Sequence, residues 1–227
     1  MGLYLLLLIV PMLLGFWAQM RVKSAFGKWS QVRATSGITG AQAAEAVLDA
    51  AQIHDVEVVE IDGVLGDHYD PTHKRLCLSS HVYRTPTVAS LGIAAHEAGH
   101  AIQHARSYAP LQARMAIVPI TMFASQILPF VMMGGFFFNA FGLIKIGFWC
   151  YLILTVFQLI TLPVEFDASR RAKIVLNELG IVRSGEESGG VSKVLNAAAL
   201  TYVAAFIAAL GNLFYLWLQL QGRQRED

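Results

Sequence analysis

Of the 227 residues, 55% are hydrophobic and only 15% are charged, and the mean hydropathy is +0.50. Soluble domains carry about a quarter charged residues, so this composition points to an integral membrane protein. A net charge of +1 leaves no electrostatic footprint for nucleic acid, and no block of like charges marks a disordered tail.

A helix crosses a hydrocarbon core about 30 Å thick with about 20 apolar residues. Leu3–Met20 carries no charge, no basic n-region and no small-residue cleavage site before Arg21, so it reads as an uncleaved anchor rather than a signal peptide. Thr39 is a plausible N-cap for an Ala-rich helix over Gly40–Ala51. Val56–Ile61 has strand character, with Asp62-Gly63 as turn chemistry after it. Asp70-Pro71 forms a second turn before a strand at Arg75–Ser79, which either pairs with an extended substrate or lies inside a sheet. Pro86 opens a helix that runs through Val88, Leu91 and Ile93 into His96.

Met115–Ile144 and Ile146–Val164 are free of charge, and they read as two spans joined by a tight turn around Phe138–Lys145. Pro119 and Pro129 fall inside the first of these and should kink it. Ser184–Gly190 is Gly- and Ser-rich and reads as a mobile loop. Val194–Leu220 completes a count of four spans, with Tyr215 and Trp217 as interfacial anchors. Fourteen of the seventeen Lys and Arg residues lie in 21–114 and 165–193, leaving Lys145, Arg223 and Arg225 for the opposite face. The positive-inside rule therefore puts the large segment in the cytoplasm and both termini outside. Cys77 and Cys150 form no CxxC pair and read as free thiols.

The predicted organisation is an N-terminal anchor (1–20), a cytoplasmic segment (21–114), a transmembrane hairpin (115–164), a second cytoplasmic segment (165–193) and a C-terminal span with its tail (194–227). The extramembrane part is a small helix–sheet–helix unit, too short to build a large core of its own.

The residues that carry chemistry are His96-Glu97-Ala98-Gly99-His100. Positions i and i+4 share one helix face, so both imidazoles can meet one zinc ion, while Glu97 is placed to take a proton from an activated water. Ala98 and Gly99 are small enough to admit a neighbouring segment. The competing reading is an amphipathic helix that happens to carry two histidines.

Such a site needs a third protein ligand. His104 continues the stripe, but His96 and His104 are separated by about 12 Å along a straight helix, too far for one ion. The longer signature with a third histidine also fails at Gln103 and Arg106. Glu165, the first charge after nineteen uncharged residues, is the better candidate, with Asp167 as a reserve ligand or a support for a histidine. A carboxylate at that position is otherwise simply solvated. His68 and His73, near Asp67 and Asp70, fit no common metal spacing and read as turn chemistry. His81, Tyr83, Arg170 and Tyr202 are possible oxyanion stabilisers, none preferred.

Four stretches, Asp67–Pro71, Ala94–His104, Leu162–Ser169 and Ala198–Ala204, resemble the YugP-like neutral zinc metallopeptidases of bacterial membranes over nearly the whole chain. That family looks like a relative of the HtpX and CAAX prenyl protease group. The resemblance implies a mostly α membrane protein with a small α+β zincin-like cytoplasmic unit. It also implies Zn2+ held by His96, His100 and Glu165, with Glu97 as the catalytic residue. One departure stands out: relatives often carry an aspartate four residues after the third ligand, where this chain has Ser169.

The leading expectation is an endopeptidase in the plasma membrane, active on its cytoplasmic side, whose partners are the bilayer and membrane-associated or misfolded polypeptides. The alternatives are a non-proteolytic zinc-binding scaffold or maturation factor, and a transporter subunit. The last is disfavoured because the spans are almost bare of ionisable residues.

Overall fold

In a computed structural model, the structure describes residues 2–64 and 66–223. Arg225, one of the three basic residues assigned to the opposite face, lies outside the described residues. The chain is mostly helical, in the order α1 (Gly2–Trp29), α2 (Gly40–Ala50), β1 (Glu57–Ile61), β2 (His68–Asp70), β3 (Arg75–Ser79), α3 (Ser80–Arg84), α4 (Val88–Ala105), α5 (Ala109–Phe137), α6 (Phe141–Glu178) and α7 (Glu186–Arg223). It divides into two compact units, one of residues 1–18, 112–162 and 201–227, the other of residues 19–111 and 163–200.

The first unit is made of apolar helix segments. Among the described residues three helices, α5, α6 and α7, are long and apolar enough to cross a membrane. Their side chains include many exposed large apolar groups, among them Phe123, Phe130, Phe137 and Trp149, as suits surfaces that meet lipid rather than a protein core. At about 1.5 Å per residue the 38 residues of α6 extend about 57 Å, well beyond a hydrocarbon core. The third predicted span and the start of the segment after it are therefore one continuous helix through Pro163. The turn between α5 and α6 occupies only Phe138–Ala140, so Lys145 sits inside α6 and not in the turn. Asn139 takes the left-handed conformation there (φ 50°), and Phe138 N–H and Ala140 N–H cap carbonyls of Gly134 and Gly135.

The second unit has a core of packed aliphatic side chains from α2, β3, α4, α6 and α7, including Val47, Leu76, Leu91, Ala98, Leu176 and Val191. α2 begins with a complete capping box between Thr39 and Gln42. The sheet order is β1-β3-β2, with β1 and β3 parallel and β2 antiparallel to β3. Two readings change here. His68–Asp70 is a strand, hidden in the sequence by the turn residues that close its hairpin with β3. And β3 is central, so both of its edges are occupied and it cannot add a substrate strand.

The Ser184–Gly190 loop is also shorter than expected, because α7 begins at Glu186. The buried carboxylate of Glu187 accepts from the N–H and hydroxyl of Thr35 and from Arg183 N–H, which pins this turn. Cys77 and Cys150 are both buried free thiols.

Candidate metal centre

α4 is positioned at its N-terminus. Thr87 caps it by accepting from Ser90 N–H, Val88 N–H donates to Val32 O, and Ala34 N–H donates to Pro86 O. The helix is lined with small buried residues, Ala94, Ala95, Ala98, Gly99 and Ala101, and α6 comes close at Gly99. A methyl group there would stand 2.8 Å from Ala168 O and 3.2 Å from its Cα. The absence of that methyl brings the backbone of α6 against the histidine helix, one turn beyond Glu165.

The consequence is a three-residue cluster. One nitrogen each of His96 and His100 and one oxygen of Glu165 all lie within 4.8 Å of one another. His96 Nε2 is 3.3 Å from Glu165 Oε2, and His100 Nε2 is 3.7 Å from the same oxygen. Tetrahedral ligands about 2.0–2.1 Å from zinc stand about 3.3 Å apart, so this donor set fits the ion in spacing as well as in chemistry. Glu165 is only 3% exposed.

Each imidazole is held from behind. His100 Nδ1 lies 3.0 Å from Gln103 Oε1, and Gln103 Nε2 donates to Val164 O (2.8 Å) and to Asp167 Oδ2 (2.9 Å). Because a carboxylate only accepts, the amide nitrogen must face Asp167, and the amide oxygen is left to accept from His100 Nδ1–H. That tautomer directs the Nε2 lone pair toward the cluster. Asp167 is held in turn by Arg170 and Arg171. His96 Nδ1 is 3.1 Å from Ser169 Oγ. Ser169 thus touches the first histidine directly, while Asp167 reaches the second through Gln103.

Glu97, on the same helix between the two histidines, is 8% exposed. Burial pushes its carboxyl up from the usual range, while His96 and His100 pull it down. For His100, burial favours the neutral ring, but the Glu165 and Glu97 carboxylates outweigh it and raise its pKa.

Several of the other sequence candidates have contacts of their own. His104 Nδ1 is 2.9 Å from Tyr69 Oη. His73 Nδ1 pairs with Asp70 Oδ2 at 2.6 Å and His68 Nδ1 with Gly66 O at 2.8 Å, as turn contacts. His81 is packed edge-on against Phe26, and Arg170 is engaged by Asp167. Gln103 and Ser169 were not picked out as site residues from the sequence. The available signal was a polar glutamine one turn after His100 in an alanine-rich helix, which the structure buries fully.

Two histidines one turn apart and a carboxylate from a second helix form a donor set that metallopeptidases use, with a buried glutamate beside it. The chain belongs to the family described as "Putative neutral zinc metallopeptidase", which it matches over residues 4–221. It is 45% identical over 222 residues to the "Putative membrane protease YugP" of Bacillus subtilis (strain 168), covering 97% of this chain and 98% of that protein. No solved structure matches.

Proposed function

We propose that the chain is a membrane-embedded zinc endopeptidase in which His96, His100 and Glu165 hold the metal and Glu97 is the general base. The observation that carries this reading is the convergence of the three ligand atoms within 4.8 Å, beside a buried carboxylate. Zinc bound there supplies Lewis-acid polarisation and brings the pKa of water to about 7. Glu97 takes a proton from the attacking water and delivers it to the departing amine, so that peptide and water become a carboxylic acid and an amine, which then ionise to carboxylate and ammonium. Its upward-shifted carboxyl suits both halves of that transfer, and a cation in the site draws it back toward the base form.

The membrane part of the proposal has four spans, with α1 added to α5, α6 and α7. The uncharged run Leu3–Met20 and the exposed Leu6, Ile9, Val10, Leu13 and Phe16 support that addition. The Lys and Arg asymmetry supports a cytoplasmic site at the plasma membrane. Glu165 follows Leu162 by about 4.5 Å along α6, within one turn of the apolar run. That spacing favours membrane-associated or misfolded polypeptides as substrates, taken in extended form. The outer edge of β2, the sheet-edge strand that packs on α4, is the backbone surface suited to pair with them.

The test is metal analysis and cleavage of a quenched peptide by purified protein. Wild type should hold one zinc per chain and cleave. Glu97→Gln should hold zinc and lose turnover by about three orders of magnitude or more, and Glu165→Ala should lose the metal. A Glu97→Gln protein that cleaves at near wild-type rate ends this mechanism. Zinc retained without any cleavage by wild type points to the non-proteolytic scaffold instead.

A further inference from the structure

A second built site lies between the end of α1 and the start of α7. There a cavity of about 320 Å3 is lined by three cations, Arg21, Lys28 and Lys193, and among its described lining residues there is no carboxylate. Ser24 and Asn196 add polar groups, and Lys173 donates to Asn196 Oδ1 at 3.2 Å, leaving the amide nitrogen as a donor. Three exposed cations around one cavity give it a positive potential that favours an anion.

The cavity exists because the two helices approach closely. Trp29 of α1 is 3% exposed and packs so tightly on Gly190 of α7 that a methyl group there would lie 2.5 Å from its ring. Lys28 and Lys193 both lie over that indole, at 5.3 and 5.6 Å from its centroid. The aromatic ring thereby holds two of the three cations at a fixed place on the cavity wall.

The position of the site along both helices identifies the ligand. Arg21 is the first charge after the uncharged run of α1, and Lys193 is the last charge before the uncharged run of α7, which next meets one at Arg223. Ala197 and Leu200 supply an apolar side to the same cavity. Basic residues that follow or precede such apolar runs face the headgroup layer of a bilayer. The geometry points to a binding site for the phosphate of one anionic phospholipid, clamped by Arg21, Lys28 and Lys193. This inference rests on the proposal that α1 crosses the membrane, and it is independent of the metal centre.

Native mass spectrometry of the purified full chain in detergent tests it, with phosphatidylglycerol, phosphatidylcholine and inorganic phosphate as separate probes. Wild type should bind one phosphatidylglycerol and discriminate against phosphatidylcholine. Lys28→Gln combined with Lys193→Gln should weaken phosphatidylglycerol binding about 30-fold, at about fivefold per cation. The pair Lys74→Gln and Arg75→Gln, which removes the same charge from the β-hairpin, should leave it unchanged. Zinc content and peptide cleavage of the same variants report on fold and on the metal centre, so loss of either is distinguishable from loss of lipid. Equal phosphatidylglycerol binding by wild type and the cavity variant would overturn the inference, as would an equal loss in the hairpin control. Retention of inorganic phosphate with no preference between the two lipids would overturn the lipid assignment in favour of a free anion.

Discussion

Replacing Gly99 by alanine adds one methyl group at the point where α4 meets the backbone of α6. That methyl would stand 2.8 Å from Ala168 O, about 0.6 Å inside the 3.4 Å at which ordinary contact begins. The obstructing atoms are backbone, so no rotamer change relieves them and the helices must separate. Alanine gains about 1 kcal/mol of helix propensity over glycine, and overpacking of this kind costs about 1–3 kcal/mol, so a net loss of stability is expected. The larger effect falls on metal binding. Glu165 sits one turn from Ala168, and ligand distances tolerate only about 0.2 Å, so a shift of half an ångström should weaken zinc binding by at least about tenfold. Gly92→Ala on the same helix is the control. Its methyl would meet a Val191 side chain at 3.3 Å, which can give way, so the propensity gain should dominate and zinc affinity should hold. Chelator competition for zinc, with thermal melts of both apo-proteins, reads the two variants. A Gly99→Ala protein with wild-type zinc affinity would refute the claim that this close approach sets the ligand geometry.

Gln103→Leu should keep the volume near that of glutamine but remove the acceptor behind His100 and leave Asp167 without its amide donor; zinc affinity should fall about 10- to 100-fold, measured by the same competition. For topology, Ser36 is exposed on the segment after α1, so Ser36→Cys is a suitable reporter; it should resist an impermeant maleimide in intact cells and react after lysis. Tyr69 is pushed up to about 12, first by burial and then by the Asp55 and Asp70 carboxylates, so the folded state favours the neutral phenol. Its contribution to stability is therefore present below pH 10 and lost as pH rises from about 10 through 12. Tyr69→Phe should flatten that stretch of a stability–pH curve, and an unchanged slope would show that other groups cause it.

The His96 and His100 pair of the proposed metal site was legible in the sequence because an i, i+4 spacing is a property of one helix, and a helix is a local structure. So were the apolar runs, the Thr39 helix start, the helix opened near Pro86 and the β1 and β3 strands, each set by residues within a few positions of one another. Glu165 was legible only as a charge next to an uncharged run, since 65 residues separate it from His100 and spacing across such a distance carries no geometry. His68–Asp70 was hidden because a three-residue strand is defined by its partner and not by its own composition. Gln103, Asp167 and Ser169 acquired their places from the packing of α4 on α6. A hydrogen bond to the back of an imidazole depends on a few tenths of an ångström between two helices, and that distance is decided where Gly99 meets Ala168. The local pattern chose the ligands' helix. The tertiary contact decided what stands opposite it, because only close packing brings distant residues to within bonding distance.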